Sequence, residues 1–482
     1  MRHRTRIVAV GLLLCALVAA ACGQKKGVHL ATGGGGGGGA AGSAGASVGG
    51  TTGSAAAGGL SAAAAGTTGT AGGSSAAAGT PSASAAGGSA TPSAAGTTGA
   101  TTGAKAPTTG ATSGPVDRTG VTDSEIRIGI HAPVTGAAPF PVTAFSEGAQ
   151  LYFKYINDHG GVNGRKVTVF FEDDQYNPGT AVQVCKKMVE QDHVFMLVGG
   201  GGTDQIVACA QYAASVGVPY LAEGVAEAPL KSVTSYFALS MSYPQQATLL
   251  AQYIKNVLHK TKVAMIRADT ANFEDAHNAF AAAAKAAGLQ CSCDFKLPKD
   301  AGQPEAQTAA GQLKSSGAEV VYPLMSPVVW LNLVAAAHGQ LYDPRWAGVG
   351  ITLGLNDAAN VACGSIPNGA SFFSPFPGVD KIDSIDPAYQ KAYQQYYGKS
   401  GGDIGIALWG AEKLLATLMT APGKDLSRQA FVAAVNGKSF HTGVYPDVNY
   451  SKSRFGGTAV HVLKADCSKR QYITEFLFKS GF

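Results

Sequence analysis

Charged residues are scarce in this chain, and neither sign dominates. They make up 14% of the 482 residues, with 36 Lys and Arg against 31 Asp and Glu and a formal net charge of +5. Nucleic-acid-binding proteins usually carry a strongly basic patch or stripe. The chain has no basic run and no RNA-type aromatic motif, so we expect no nucleic-acid partner.

The chain begins with an apolar run that is too short for a comfortable membrane span. Ile7–Ala21 has fifteen residues, whereas a transmembrane helix needs about 20. The run follows Arg2, Arg4 and Arg6 and ends in small residues. A basic head, a short apolar core and a small-residue end are typical of a secretory signal. We therefore predict a signal peptide over residues 1–21.

The end of this run resembles the bacterial lipobox, in which a cysteine is lipidated and becomes the first residue after cleavage. It reads Ala19-Ala20-Ala21-Cys22. The resemblance predicts a lipid anchor on Cys22, which would hold the protein in the cell envelope, on the outer face of the cytoplasmic membrane. The alternative is an ordinary secretory cut near Ala21, with Cys22 as a spare thiol.

Residues 31–115 lack aromatic side chains, and Lys105 is their only charge. Gly, Ala, Ser and Thr make up nearly all of this stretch. Such a composition cannot bury enough apolar surface to offset the entropy of ordering the chain. We predict a flexible, lipid-anchored linker over residues 22–117, with a root-mean-square span of roughly 50 Å.

Motifs of metal and catalytic sites are missing as well. Cys291 and Cys293 are separated by one residue, which is not a zinc spacing, and no HExxH pattern occurs. The sequence also shows no pairing of a nucleophile with a base that would indicate a catalytic site. We expect no enzyme activity, no catalytic residue, no metal and no cofactor.

Six cysteines remain beyond the N-terminal region, and an even count in an exported protein favours disulfides. Cys185 and Cys209 lie on consecutive predicted helices, and their pairing is the first disulfide that we predict. The partners of the other four stay open: Cys291, Cys293, Cys363 and Cys467.

The body of the chain, from Arg118 onward, alternates predicted strands and helices. Ile126–His131 is a short apolar run rich in β-branched residues, and Lys166–Glu172 is a second one. Between them, apolar residues recur at helical spacing: Phe145, Ala149, Tyr152 and Ile156. A strand–helix–strand unit builds a parallel sheet, whose ligands bind at the carboxyl ends of the strands.

A second series of strands and helices begins at Lys262, and the body is long enough for two lobes. The last two predicted strands, Thr458–Leu463 and Tyr472–Phe478, flank a turn and alternate in polarity. They predict an antiparallel hairpin at a sheet edge. The pattern as a whole predicts an α/β protein with two lobes and a cleft between them.

Several segments resemble the type I periplasmic substrate-binding proteins of ABC importers, the group named for branched-chain amino acid binding. The most specific piece is GGVNGRK, at residues 160–166. Other resembling segments are IRIGIHAPVTG (126–136), NPGTAVQVCKKMVEQDHVFMLVGG (177–200), GVPYLAEG (217–224), SMSYPQQATLLAQYIKN (240–256) and VAMIRADTANFEDAHNAFAAAAKAAG (263–288). The resemblance extends to the C-terminus and weakens after Gly350.

The resemblance implies two Rossmann-like lobes with parallel sheets, joined by a three-segment hinge that closes on a ligand. The crossings are expected near Leu239–Met241, near Ser371–Pro375 and before the last strands. The expected lobes are listed by residue: 118–240 and 371–457 for lobe 1, 241–370 and 458–482 for lobe 2.

The implied function is a monomeric lipoprotein that captures a small molecule and delivers it to an ABC permease. The alternative is a ligand-sensing surface receptor that is not coupled to transport.

The resemblance also points to a turn that could bind an anion. The family holds the ligand carboxylate on a Ser/Thr-rich turn at the start of a first-lobe helix, which here is Gly200–Thr203. Free N–H groups at a helix start suit an anion. Gly202 and Thr203 are therefore candidate contacts. The alternative is a glycine turn that is needed only for tight strand–helix packing.

The next loop departs from the family. Glu223-Gly224-Val225-Ala226 lacks the usual side-chain hydroxyl, and the carboxylate that pairs with the ligand amine is absent near Gly350. An unpaired buried amine costs several kcal/mol. We therefore expect a ligand other than a standard α-amino acid, unless Glu223 takes over this role. Glu223 and Val225 are candidate contacts; alternatively, Glu223 is a solvated loop acid.

Four aromatic residues fall at or near wall positions of the family's cleft: Phe140, Phe273, Tyr322 and Trp409. Each could instead be a core residue. Apolar walls with few polar groups suit a small, partly apolar molecule. The predicted solute is amino-acid-like, an amide, or an aromatic or short-chain acid.

Overall fold

The computed structural model describes residues 116–365 and 369–482. The predicted signal peptide, Cys22 and nearly all of the predicted linker lie outside the described residues. Within the described ranges, no helix is both long and apolar enough to cross a membrane.

The first lobe opens with strands and helices in alternation. Its elements are β1 (Glu125–Ala132), α1 (Val142–Asp158), β2 (Lys166–Asp173), α2 (Pro178–Glu190), β3 (Met196–Gly199), α3 (Thr203–Ser215), β4 (Tyr220–Ala222) and β5 (Tyr236–Ala238). The strands form a parallel five-stranded sheet in the order β2-β1-β3-β4-β5. This confirms the parallel sheet that the sequence predicts.

Local sequence signals account for the ends of these elements. The Asn177 side chain caps α2, since its Oδ1 accepts from the N–H groups of Gly179 at 2.8 Å and Thr180 at 3.1 Å. Pro178 occupies the first turn, where its missing N–H costs nothing. Strand β1 has apolar residues on both faces because helices cover the sheet on both sides.

The second lobe repeats the pattern. Its elements are α4 (Tyr243–Gln252, continued by a π-helical turn at Tyr253–Val257), β6 (Lys262–Ala268), a 3₁₀ turn (Ala271–Phe273), α5 (Glu274–Ala287), β7 (Gln290–Leu297), α6 (Gln303–Ser316), β8 (Val320–Leu324), α7 (Pro327–Gly339), β9 (Arg345–Gly348), α8 (Leu355–Ala362) and β10 (Ser371–Ser374).

The chain then returns to the first lobe, where α10 and α11 pack against α1. These later elements are α9 (Ile382–Ile385), α10 (Ala388–Tyr397), α11 (Asp403–Thr420), α12 (Arg428–Val435), β11 (Ser439–Phe440), β12 (Val448–Asn449), β13 (Val460–Asp466) and β14 (Gln471–Lys479). The second sheet has seven strands, in the order β14-β13-β10-β9-β8-β6-β7. Strands β11 and β12 form a separate antiparallel pair.

The last two strands form the predicted hairpin: β13 and β14 pair antiparallel, and β14 lies at the edge of the second sheet. One predicted lobe boundary needs a correction. Strand β10 pairs with β9 and β13 in the second sheet, so the return to the first lobe comes after Ser374 and not at residue 371. All four residues of β10 are buried. A short buried strand of this kind could belong to either lobe, so the sequence alone does not decide between them.

Two crossing segments meet main chain to main chain at the base of the cleft. A Cβ atom on Gly457 would lie 2.0 Å from the Met241 N atom, and one on Gly224 would lie 2.4 Å from the Met241 carbonyl carbon. Both contacts are closer than any side chain allows. The backbone at Met241 is therefore held between two glycines, which is why glycine is needed at these two positions.

Three disulfides are present among the described residues. Cys185 pairs with Cys209, the pair expected from the sequence, and joins α2 to α3. Cys291 pairs with Cys293 inside β7. Cys363 pairs with Cys467 and ties the end of α8 to the turn of the last hairpin.

Replacing Gly457 with Ala tests the contact between the crossing segments. We expect the free energy of unfolding to fall by about 1–3 kcal/mol, because the backbones must separate to admit the methyl group. Gly311→Ala is the control, since a Cβ there meets nothing closer than 3.5 Å and Ala favours a helix by up to about 1 kcal/mol. Urea unfolding measures both. Equal stabilities of the two variants would contradict the close contact.

Candidate functional site

A cavity of about 110 Å³ lies between the two lobes. Ile130 and Val198 bring the ends of β1 and β3 to it from the first lobe, and Leu324 brings the end of β8 from the second. The cavity thus occupies the carboxyl ends of parallel strands, where ligands of such sheets bind.

Six of the eight residues predicted to contact a ligand line this cavity: Phe140, Gly202, Thr203, Glu223, Val225 and Phe273. They come from both lobes and from separate loops, which the fold brings together.

Two predicted wall residues lie elsewhere. Tyr322 points from β8 into the second lobe, where its ring meets that of Phe280 with 4.9 Å between centroids. The Trp409 indole is fully buried, donates to Asp386 at 2.9 Å and packs against Tyr152. Both belong to the hydrophobic core and do not line the cavity.

The glycine-rich turn opens helix α3 toward the cavity. Gly202 has φ +77°, a conformation that favours glycine, and it gives the helix no side-chain cap. The first N–H groups of a helix have no partner within the helix. Thr203 adds a hydroxyl, which lies 3.4 Å from the Tyr243 hydroxyl. The N–H groups and the hydroxyl in this corner of the cavity can donate hydrogen bonds to the oxygen atoms of a ligand.

The same helix start also contacts the second lobe. Oδ1 of Asp204 accepts from the Thr270 hydroxyl at 2.7 Å and from the Asn272 amide at 2.8 Å. Oδ2 of Asp204 lies 3.3 Å from Lys299 Nζ. These contacts join the first lobe to the second beside the cavity.

Glu223 brings a carboxyl group to the cavity without a cationic partner in the described lining. Its oxygens lie 3.5 Å from the hydroxyls of Thr352 and Tyr445. Burial raises the pKa of Glu223 to about 7, and the hydroxyl contacts only partly offset this. The residue is therefore poised between a neutral and an ionised form near neutral pH, and it is not a freely solvated loop acid.

Glu412 is a second cavity acid, which the sequence analysis did not identify. One face of α11 lines the cavity at helical spacing: Leu408, Ala411, Glu412 and Leu415. Only 3% of Glu412 is exposed, and burial raises the pKa of its carboxyl group well above the usual range. An acid within an otherwise apolar helical stripe was the sequence signal that could have revealed it.

The lining is poor in positive charge. None of the described residues around the cavity is Lys, Arg or His. Any fixed attraction for an anion therefore comes from the starts of α3 and α7, which both line the cavity, and from hydroxyl groups.

One trio of side chains has the donor types of a metal site: His131, Cys185 and Cys209. The two sulfurs are bonded to each other. Both ring nitrogens of His131 are engaged, with Asp174 at 2.8 Å and with the Tyr220 hydroxyl at 2.7 Å. This trio therefore has no free donor for a metal ion.

Replacing Glu223 with Gln tests its raised pKa, since the carboxyl titrates at about 7 in the folded protein and at about 4.3 in an unfolded chain. Between pH 4.3 and pH 7 the folded state binds more protons at this carboxyl than the unfolded state does. The contribution of the protonated Glu223 to stability is therefore full below pH 4 and is lost as the pH rises through 7. Relative to Glu223→Gln, we expect the wild-type free energy of unfolding to fall by up to about 3 kcal/mol from pH 4 to 8. Urea unfolding at both pH values measures these free energies. A difference between wild type and variant that stays constant with pH would contradict the raised pKa.

Comparison with known proteins agrees with this architecture. A curated Leu/Ile/Val-binding protein homolog from Brucella melitensis biotype 1 is 30% identical over 206 residues, which cover 41% of this chain and 54% of that protein. The chain spans about half the length of the first curated relatives that it matches.

Solved structures match over most of the chain. The solute-binding protein of an ABC transporter from Rhodopseudomonas palustris BisB5, in complex with 3,4-dihydroxybenzoic acid, has a TM-score of 0.62 and 17% identity, covering 75% of this chain and 99% of that one. A branched-chain amino acid transporter substrate-binding protein from Streptococcus pneumoniae, in complex with isoleucine, has a TM-score of 0.62 and 17% identity, covering 74% and 100%. At such identity the likeness shows a shared fold.

The family model for periplasmic binding proteins matches residues 125–465, well over half of the chain. This range contains both sheets except for the last strand, and all six predicted contacts that line the cavity. Together with the two-lobed fold, the match shows that the chain belongs to the type I periplasmic binding proteins, which bind substrates rather than transform them.

Proposed function

We propose that this protein captures a small, largely apolar solute in the interlobe cavity and delivers it to an ABC importer. The observation that carries the proposal is the cavity itself, which both lobes line at the carboxyl ends of their strands. Solute-binding proteins of ABC transporters share this fold. Closure of two lobes on a ligand is a usual way for such a fold to bind.

The walls favour a solute with an apolar body. Phe140 and Phe273 face the cavity from opposite lobes, and about half of the remaining lining is aliphatic. The volume of about 110 Å³ is somewhat below the roughly 150 Å³ of a cavity that holds benzene. We propose an amino-acid-like molecule, an amide, or an aromatic or short-chain acid. The start of α3 would bind its carboxylate or carbonyl oxygen.

The location that we propose rests on the N-terminal sequence. We propose that a signal peptide directs export and that lipidation of Cys22 anchors the protein on the outer face of the cytoplasmic membrane. The Gly/Ala/Ser/Thr-rich stretch would then let a monomeric binding body reach its permease while it stays tethered.

The function is tested first by a thermal-shift screen of the purified protein against amino acids, amides, aromatic acids and short-chain acids. A ligand that binds only the folded state raises its stability. We expect at least one of these solutes to raise the melting temperature in a concentration-dependent way. The absence of any stabilising small solute would contradict the proposed function.

Replacing Phe273 with Ala tests the cavity as the binding site. We expect the affinity for the best solute of the screen to fall by about tenfold or more, because an apolar wall of the ligand's site is lost. Tyr322→Phe is the control, since Tyr322 lies outside the cavity and should leave the affinity unchanged. Isothermal titration calorimetry measures both. An unchanged affinity in Phe273→Ala would place the ligand elsewhere.

Replacing Cys22 with Ala tests the anchor. After expression in a bacterial host with lipoprotein processing, we expect the wild type in the detergent phase of a Triton X-114 partition and the variant in the aqueous phase. Cys15→Ala is the control, because Cys15 lies inside the apolar run and should leave the partition unchanged. A variant Cys22→Ala that still enters the detergent phase would overturn the lipid anchor.

A further inference from the structure

Tyr176 lines the cavity from a turn that follows strand β2. Its backbone φ is +55°, and that of Gln175 before it is +57°, so two successive residues are in the left-handed region. A bulky side chain rarely adopts this conformation, because it costs free energy. Glycine or asparagine would suffice for a turn that needed only this shape. The side chain at position 176 is therefore what this turn serves to place.

Two carboxylates hold the turn in its left-handed shape. Asp173 Oδ1 accepts from the Gln175 N–H at 3.0 Å. Asp174 Oδ1 accepts from the Tyr176 N–H, also at 3.0 Å. Asp174 is fully buried, and its Oδ2 lies 2.8 Å from His131 Nδ1. The turn is thus anchored in the body of the first lobe, which fixes the position from which the Tyr176 ring extends.

The ring makes contacts on both lobes. It packs on Gly202 at the start of α3, where a Cβ atom would lie 3.3 Å from Cε2 of the ring. From the second lobe, Lys299 Nζ lies 5.2 Å from the ring centroid, inside the cation–π range of about 6 Å. Burial raises the pKa of Tyr176 to about 12, and hydrogen bonding to the Ser326 side chain, which caps α7, partly opposes this rise. Tyr176 is thus a first-lobe side chain with partners in the second lobe.

The turn also joins the surface to the cavity. Gln175 and Asn177 are exposed, and Tyr176 is partly buried, yet its ring lines the cavity beside Ser326. A side chain in this place separates the cavity from solvent on that side. Moving the lobes apart would withdraw Lys299 and Ser326 from the ring, so the same contacts oppose opening.

We propose that Tyr176 is a gate of the cavity, whose ring bridges the lobes over the start of α3 and controls exchange of solute with the surroundings. Lys299 is its positioning residue on the second lobe. This rests on the proposed function and deepens it, because the gate regulates the same site. The strained turn is the device that places the ring where the second lobe can meet it.

Access to the cavity can be measured without a bound solute. Val225→Cys places a thiol in the lining, at a position that is only 3% exposed. Val321→Cys is the matched control, since Val321 is fully buried in the second lobe and does not line the cavity. The probe is methyl methanethiosulfonate, a small neutral thiol reagent, applied to the full chain. Peptide mass spectrometry gives the labelling rate at each position separately, so the other cysteines do not interfere.

Two substitutions at Tyr176 separate its ring from its hydroxyl. Tyr176→Ala should raise the labelling rate at position 225 by about tenfold or more, because the burial of the ring and its cation–π contact are both lost. Tyr176→Phe keeps the ring and should raise this rate by no more than about threefold, the effect of one modest hydrogen bond. Labelling at position 321 should be unchanged in both.

Lys299→Met tests the gate from the second lobe and keeps the test decisive if Tyr176→Ala does not fold. We expect the labelling rate at position 225 to rise about two- to fivefold, the size of one cation–π contact near the surface. In the Tyr176→Ala protein the same substitution should have a smaller effect, since the ring that Lys299 contacts is gone.

Each contrary outcome has a distinct meaning. An unchanged rate at position 225 in Tyr176→Ala, or in Lys299→Met where Tyr176→Ala does not fold, would overturn the gate. So would an equal rise at position 321, which would make Tyr176 a folding residue, or an equal rise in Tyr176→Phe, which would leave the ring without a role. Equal fold-changes for Lys299→Met with and without the ring would overturn Lys299 as its partner. If no solute stabilises the protein, the proposed function fails, whereas the labelling rates still decide whether Tyr176 closes the cavity.

Discussion

The close approach of main chains at Met241 is the constraint on which the cleft depends. Gly224 and Gly457 contact this backbone from two sides, at distances that leave no room for a side chain. The loop after β4 is thereby fixed against the crossing between the lobes. That loop carries Glu223 and Val225 into the cavity, so the geometry of the hinge also sets the position of the site.

The cavity combines apolar walls with acids that lack a counter-cation among its described lining residues. Glu223 and Glu412 are both shifted toward the neutral form by burial, whereas the α3 helix start favours negative charge. A site of this kind selects by shape and by neutral hydrogen bonds more than by ion pairs. Because a neutral carboxyl does not repel a carboxylate, an acidic solute is compatible with two glutamates in the lining.

Much of the fold could be predicted from periodicity and from the segments that carry the family resemblance. The glycine turn before α3 and the loop at Glu223 could be placed at the cleft because the family resemblance assigns ligand contacts to these segments. Tyr322 and Trp409 could not be placed from the sequence, since a residue near a strand end or on a long apolar helix can face either side. Glu412 was missed because the other residues of its helical stripe are apolar and are typical of a core-facing helix. The structure shows that one face of this helix borders the cavity.

The most direct test of the central claim, that this cavity is the ligand site, is a crystal structure of the protein with its tightest-binding solute. We expect the solute between the lobes, in contact with Thr203 of the first lobe and Phe273 of the second. A solute bound outside this cavity, with the cavity left as it is here, would contradict the account.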